Sequence, residues 1–123
     1  MPAYDPNFRP PAPVALVTLH LSTSGTSVAN VPMLLDTGAD ISLIPRAVIS
    51  AVDIISDRSY ELESFDGTKT ISPSIQLEMQ FLGKSFRGQF LVIDSDYGII
   101  GRNILNKLSL RLNGPSQVWT EAV

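Results

Sequence analysis

The sequence contains no cysteine and only one histidine, His20. Without cysteine the chain can form no disulfide, no thiolate metal site and no thiol nucleophile. One histidine cannot build a histidine-rich metal centre, so we expect no cofactor and no metal. The apolar runs are too short to cross a bilayer, and no basic start followed by an apolar stretch marks a signal peptide. These absences predict a soluble, cytoplasmic protein with no membrane segment.

Charged residues are also few, and no group of basic residues stands out. Asp, Glu, Lys and Arg make up 17% of the 123 residues, and the formal net charge is −3. Because nucleic-acid surfaces collect Lys and Arg on one face, this pattern argues against a nucleic-acid partner. Hydrophobic residues reach 44%, which is typical of one globular domain.

Proline is concentrated at the start of the chain, where residues 1–13 hold five of the nine prolines. Proline removes backbone donors and favours extended backbone. The sequence therefore predicts a flexible N-terminal segment over residues 1–13, followed by a single domain over residues 14–123.

Short apolar and β-branched runs separated by turn residues dominate the rest of the chain. We expect strands over 14–21 and 31–35, a short helix over 46–52 and a helix over 102–108. Three further pairs of runs flank glycine-containing turns, which predicts hairpins. These turns are Asp66-Gly67, Leu82-Gly83 and Asn113-Gly114. The pattern favours an all-β, barrel-like fold with one clear short helix.

The segment Asp-Thr-Gly-Ala-Asp at 36–40 follows an apolar strand and reads as a tight turn. Gly38 permits backbone geometry that a β-carbon would block, and Thr37 can hold the turn through local hydrogen bonds. Asp36 is thus presented from an apolar, stiff support, which is what functional sites need. The alternative is an ordinary carboxylate in a turn between strands. Two carboxylates that share one proton could hydrolyse a peptide bond, one as base and one as acid.

Two segments together resemble the signatures of the retropepsins, the retroviral-type aspartic proteases. They are Leu-Asp-Thr-Gly-Ala-Asp at 35–40 and Ile-Ile-Gly-Arg-Asn-Ile-Leu at 99–105, in the family's order and at about its separation. The resemblance covers roughly residues 16 to 112. It implies a closed β-barrel of the acid protease fold with one short C-terminal α-helix. It also implies an aspartic endopeptidase that cleaves a peptide or polyprotein substrate.

The resemblance implies a homodimer as well, because the chain carries one Asp-Thr-Gly motif where two-domain relatives carry two. Neither Asp66-Gly67 nor Asp96-Tyr97-Gly98 is a convincing second copy. Closed two-fold symmetry, the commonest arrangement of identical chains, would then bring two copies of Asp36 face to face.

The family's residue roles can be carried over onto this chain. Asp36 would be catalytic, and Thr37 would join a hydrogen-bond lattice between the two subunits' catalytic loops. Arg102 would be structural, with its guanidinium anchored near Asp40 and the subunit interface. The residues implied in substrate binding are Gly38, Ala39, Asp40 and Ile99, together with Ser64, Phe65, Asp66 and Gly67 of a flap-like hairpin.

The chain departs from the viral pattern at two places. Its flap hairpin has only Gly67 and carries the charged Asp66 and Lys69, and the C-terminus runs on past Asn113 to Trp119. These departures favour a cellular or retroelement-derived member. Two other hypotheses remain open from the sequence: a catalytically silent dimeric module that binds peptides or assembles, and a structural β-domain whose motif matches are chance.

Overall fold

The structure is a computed structural model that describes residues 2–49, 54–63 and 66–122, without the side chains of residues 54–60, 62 and 70. It contains ten strands, one 3₁₀ turn over Arg46–Val48 and one α-helix, α1, over Arg102–Leu105. The strands are β1 Tyr4–Asp5, β2 Ala12–Leu21, β3 Ser27–Leu35, β4 Leu43–Pro45, β5 Ile54–Glu63, β6 Lys69–Phe81, β7 Lys84–Ile93, β8 Gly98–Ile100, β9 Leu110–Asn113 and β10 Val118–Glu121.

Six of these strands close into a barrel. The order β2-β3-β8-β4-β7-β6 returns to β2 because the second half of β2 pairs with β6, from Thr18 opposite Gln80 to Leu21 opposite Leu77. Closure leaves these strands without open edges, which would otherwise invite pairing with other chains. The predicted all-β closed barrel with one short C-terminal helix is confirmed.

The barrel interior follows the period-two pattern of the sequence. Alternate residues of β2 and β6 point inward, as the alternation of side chains along a strand requires. The apolar side chains with 4% exposure or less are Ala15, Val17, Leu19 and Leu21 of β2 and Ile75, Leu77, Met79 and Phe81 of β6. Burying each of those larger than alanine contributes about 1.5–3 kcal/mol relative to leaving it exposed.

Positive backbone φ values set the hairpin turns. Gly67 lies at φ +85° and Gly83 at φ +72°, in the left-handed region that glycine enters without a steric penalty. The turn at 82–83 joins β6 to β7 with Phe81 opposite Lys84, as the sequence predicts. The hairpin of β9 and β10 is also confirmed, with a longer turn over 114–117.

The first thirteen residues, predicted as a flexible segment, contain a short strand in the structure. Tyr4 and Asp5 form β1 and pair antiparallel with Pro13 and Ala12. The Phe8 ring meets the Tyr97 ring edge-on, with centroids 4.7 Å apart. The prolines suggested a free tail because they cannot donate hydrogen bonds. Here the residues between the prolines provide the hydrogen-bond donors, and the contact between the Phe8 and Tyr97 rings adds packing.

The two predicted helices are shorter in the structure. The segment predicted as a helix over 46–52 forms one 3₁₀ turn to Val48, and residues 50–52 lie outside the described part of the chain. The helix predicted over 102–108 ends at Leu105. In the described ranges, no helix has the length and apolar character needed to cross a membrane.

Candidate active site

The barrel places Asp36 at the end of a parallel strand pair. Strand β3 runs beside β8 with Leu35 opposite Ile100. The Asp36 N–H donates to the Ile100 carbonyl at 3.0 Å, so the ladder continues one residue past β3 and fixes the backbone of Asp36. The side chain is half-buried. The acid is therefore carried on the barrel wall itself rather than on a free loop.

Short hydrogen bonds close the turn after Asp36. The Gly38 N–H donates to Asp36 Oδ1 at 2.9 Å, and the Ala39 N–H donates to the Asp36 carbonyl at 3.2 Å. The carboxylate thus folds back over its own turn, an arrangement that Asp adopts readily. Thr37, Gly38 and Asp40 are exposed. The turn orients one carboxylate oxygen toward Gly38 and leaves the exposed residues on the open side.

A buried hydroxyl links the turn to the start of α1, a contact that could not be predicted from the sequence. Ser42 is 2% exposed, accepts a hydrogen bond from the Gly101 N–H at 3.0 Å and donates to Asn103 Oδ1 at 2.8 Å. A β-carbon at Gly101 would overlap the Ile41 carbonyl, so only glycine lets the two backbones approach this closely. Serines abound in this chain, and nothing local distinguishes Ser42.

Arg102 holds the same turn from the other side. Its N–H donates to the Ala39 carbonyl and its Nη1 donates to the Thr37 carbonyl, both at 2.8 Å. Within the described residues no ion pair joins Arg102 to Asp40, so the expected guanidinium–carboxylate contact is replaced by contacts to backbone carbonyls. Arg102 therefore contacts the turn through Thr37 and Ala39, and its structural role stays a prediction.

Three half-buried apolar side chains share the face of the sheet that carries Asp36. Leu34 is in register with Ile99, and Ile99 is in register with Leu43 on β4. Register partners lie on one face. Their neighbours Met33, Ile44 and Ile100 are fully buried on the opposite, core-facing side. Of the three, the sequence singled out only Ile99; Leu34 and Leu43 were missed because a partner strand is needed to bring them beside it.

The hairpin predicted to cover the site is described only in part. Asp66 accepts a hydrogen bond from the Thr68 N–H at 2.9 Å. Bonding from Thr68 lowers the pKa of the Asp66 carboxyl from its usual value. Asp66 and Gly67 are exposed, while Ser64 and Phe65 lie outside the described residues. The structure thus shows a turn at 66–68 between β5 and β6, as predicted.

Chemically, the turn offers one carboxylate on a rigid support, beside an apolar wall and exposed backbone. The chain supplies one such carboxylate, Asp36, at this place. A general acid and a general base acting together require a second. This fold and this site define the class of the chain as aspartic-protease-like.

Comparisons with known proteins identify the family. A family model described as retroviral aspartyl protease matches residues 13–113. Among solved structures, the chain is similar to the EIAV protease complexed with the inhibitor HBY-793, with 25% identity and a TM-score of 0.57. That match covers 78% of this chain and 86% of the EIAV chain. No curated protein matches the chain. The chain belongs to the retroviral aspartyl protease family, whose fold and general activity are those of aspartic proteases.

Proposed function

We propose that two copies of the chain form an aspartic endopeptidase in which Asp36 of each copy contributes to one catalytic pair. The observation that carries the proposal is the fixed position of Asp36 at the end of the β3–β8 ladder, in a turn bonded on both sides to residues 101–103. The family supports aspartic protease chemistry in general. Because this chain carries a single Asp-Thr-Gly motif, it would need Asp36 from each of two copies to perform that chemistry.

The reaction is a direct attack by water. Two carboxylates at close range share one proton, because both cannot carry a negative charge there. The ionised carboxylate takes a proton from water as the water oxygen attacks the peptide carbonyl carbon. The protonated carboxyl gives its proton to the carbonyl oxygen, and a tetrahedral diol forms. Proton transfer to the leaving nitrogen then lets the carbon–nitrogen bond break. No covalent enzyme intermediate and no metal enter these steps.

The substrate would be an extended peptide, held as a strand between the turn and the 66–67 hairpin. Such binding uses backbone hydrogen bonds for affinity and alternate side-chain pockets for specificity, over roughly six to eight residues. Gly38 and Asp40 lie exposed beside Asp36 and would contact the peptide backbone. Leu34, Ile99 and Leu43 would form an apolar pocket wall, which predicts a preference for apolar side chains next to the cleaved bond.

The decisive experiment compares the wild-type chain with Asp36→Asn on an unfolded protein library at mildly acidic pH. Loss of the acid–base group should lower the cleavage rate by about a hundredfold to ten-thousandfold. A matched control is Asp5→Asn, on β1, because an asparagine there can still accept the Asn7 N–H that Asp5 Oδ1 accepts. Equal cleavage by wild-type and Asp36→Asn would refute the proposal. Peptide retention without cleavage by either would favour a silent binding module.

Mixing subunits tests whether the pair is shared between chains. Excess Asp36→Asn subunits added to the wild-type chain would form mixed dimers with one intact carboxylate, so the cleavage rate should fall steeply. If each chain acts alone, the added variant leaves the rate unchanged.

A shared-proton pair also requires the rate to fall as pH rises above the acid range, and a flat profile to well above neutral pH would contradict it.

A further inference from the structure

An aromatic pair joins the N-terminal segment to the loop that leads into β8. The Phe8 ring meets the Tyr97 ring edge-on, with centroids 4.7 Å apart, and both side chains are half-buried. In the described parts of the chain, neither ring packs against the main hydrophobic core. The pair is therefore a separate contact on the outside of the barrel, between two segments that lie far apart in the sequence.

The N-terminal segment does not need this contact to stay in place. Strand β1 pairs antiparallel with β2, and the Tyr4 N–H donates to the Gln117 carbonyl at 2.8 Å. The Phe8 N–H donates to the Asp5 carbonyl at 3.3 Å, so the backbone turns directly after β1. Phe8 is thus presented by backbone that is fixed independently of the loop it touches.

The loop over 94–97, in contrast, has few attachments of its own. Among the described residues its one hydrogen bond is internal, from the Tyr97 N–H to Ser95 Oγ at 3.4 Å. Its two acidic residues are exposed and form no ion pair in the described ranges. Segments with few hydrogen bonds and few packed side chains open easily. The Phe8 ring is therefore the main contact that holds this loop from outside.

Strand β8 depends on the loop for its position at one end. It has only three residues, and the first of them, Gly98, has no side chain that could anchor it. A β-carbon at Gly98 would overlap Met33 Sδ and the Leu43 carbonyl, so the bare backbone of β8 enters between β3 and β4. Tyr97 is consequently the nearest side chain before Ile99 that can fix the loop end of the strand.

The position of β8 affects the proposed active site through Ile99. This residue lies between Leu34 on β3 and Leu43 on β4, in the apolar wall beside Asp36. A pocket that is already in place when the substrate arrives loses less conformational freedom on binding, which improves affinity. Because only Gly98 separates the loop from Ile99, a displacement of the loop would shift this wall.

We propose that Phe8 is a positioning residue for substrate binding: through Tyr97 it holds Ile99 in place for an apolar side chain next to the cleaved bond. The inference rests on the proposed function and adds the N-terminal segment to it. The turn that carries Asp36 is anchored separately, by residues 101–103. Loss of the aromatic pair should therefore weaken substrate binding and leave the bond-breaking step nearly unchanged.

Steady-state kinetics on a peptide with apolar residues at the cleaved bond tests this role. An aromatic pair contributes about two- to tenfold to an equilibrium constant, so Phe8→Ala should raise KM by about that factor with kcat nearly unchanged. Phe8→Tyr keeps the ring and should restore KM. The matched control is Phe86→Ala, because Phe86 is a half-buried ring that packs on the core. It should lower the free energy of unfolding and leave KM unchanged.

A double-mutant cycle tests whether the effect passes through Tyr97. If the two rings act as one unit, Phe8→Ala has little further effect on KM in a Tyr97→Ala background. Equal effects of Phe8→Ala in the two backgrounds would refute the route through Tyr97. Circular dichroism and sedimentation equilibrium verify that the variants fold and assemble as the wild-type chain does.

Hydrogen exchange gives a readout that needs no substrate. In Phe8→Ala the amides of Gly98 and Ile99 should exchange about two- to tenfold faster, while the Asp36 amide keeps its rate. Faster exchange in a chain that cleaves no peptide would keep the aromatic anchor but refute the enzyme, and with it the role in binding. Cleavage in which Phe8→Ala leaves KM unchanged, or lowers kcat alone, would keep the enzyme and refute the positioning role.

Discussion

The turn proposed to be catalytic and the hairpin proposed to cover it are held in opposite ways. The turn over 36–42 is fixed by residues far along the chain, since Gly101, Arg102 and Asn103 contact it across sequence separations of 59 to 65 positions. The described part of the hairpin is held by contacts between residues close in the sequence: the β5–β6 ladder up to Glu63 opposite Lys69, the Asp66–Thr68 hydrogen bond, and an exposed Lys69–Glu61 ion pair of 3.5 Å.

This difference separates two physical requirements of the proposed reaction. Acid–base groups must keep their geometry, and distant contacts that form only in the folded barrel supply that rigidity. A cover over the substrate must open for entry and release, and local contacts can be broken without unfolding the barrel. Changes at the turn should therefore affect global stability, whereas changes at the hairpin should not.

The largest effect is expected at the closest backbone approach. Gly101→Ala would place a β-carbon against the Ile41 carbonyl, and neither strand end can move without disturbing the barrel. The free energy of unfolding should fall by about 3 kcal/mol, measured by urea denaturation. Gly114→Ala is the control, because its β-carbon would meet nothing within 4 Å. A tolerated Gly101→Ala would show that the turn is not anchored at this point.

A smaller loss is expected when the buried hydroxyl is removed. Ser42→Ala leaves the Gly101 N–H without its acceptor and Asn103 without its donor. Leaving a buried donor unsatisfied costs about 1–3 kcal/mol. Denaturation of Ser42→Ala beside Ser85→Ala, an exposed serine on β7, measures the difference. Equal stabilities of the two variants would mean that solvent reaches Gly101 and that the network does not stiffen the turn.

Arg102 contributes less, because its side chain is exposed. Arg102→Lys loses the planar fork whose Nη1 reaches the Thr37 carbonyl, and we expect a loss of about 0.5–1 kcal/mol. The exposed Arg9→Lys should change the unfolding free energy by less. If the two substitutions proved equal, the contact to Thr37 would carry no stability, and the turn would depend on backbone bonds alone.

The sequence predicted the parts of the molecule that depend on local pattern. Apolar and β-branched runs along β2 and β6, and glycine in the turns at 67 and 83, identified strands and hairpins because their physical causes lie within a few residues. The Asp36 turn and the segment at 99–105 were recognisable for the same reason.

Features that depend on pairing between distant segments could not be predicted in this way. Ser42 lies beside Gly101 only after β3, β8 and β4 have assembled, and Leu34 joins Ile99 only through the parallel register. The pairing of the N-terminal residues could not be predicted for the same reason. Their prolines indicated a tail, yet Tyr4 donates to the Gln117 carbonyl and the Pro2 carbonyl accepts from Trp119 of β10, more than a hundred positions away in the sequence.

The smallest effect is expected at the hairpin, and it concerns titration rather than stability. Hydrogen bonds from Thr68 favour the ionised Asp66 carboxyl, so its pKa lies below the usual value of 3.8. A lowered folded-state pKa means that its stabilisation is present above pH 3.8 and is lost as pH falls through the folded pKa. Because the group is fully exposed, the unfolding free energy should barely respond.

Thr68→Val tests this titration directly. The substitution removes the hydroxyl donor and keeps the backbone N–H, so the Asp66 titration midpoint followed by carboxyl NMR should move up toward the usual value. Thr120→Val, at a distant hydroxyl on β10, is the matched control and should leave the midpoint in place. A midpoint unmoved by Thr68→Val would mean that the hydroxyl does not stabilise the carboxylate. A loss of global stability in Thr68→Val would contradict the difference between the turn and the hairpin. It would mean that the hairpin is bound to the barrel as firmly as the turn over 36–42 is.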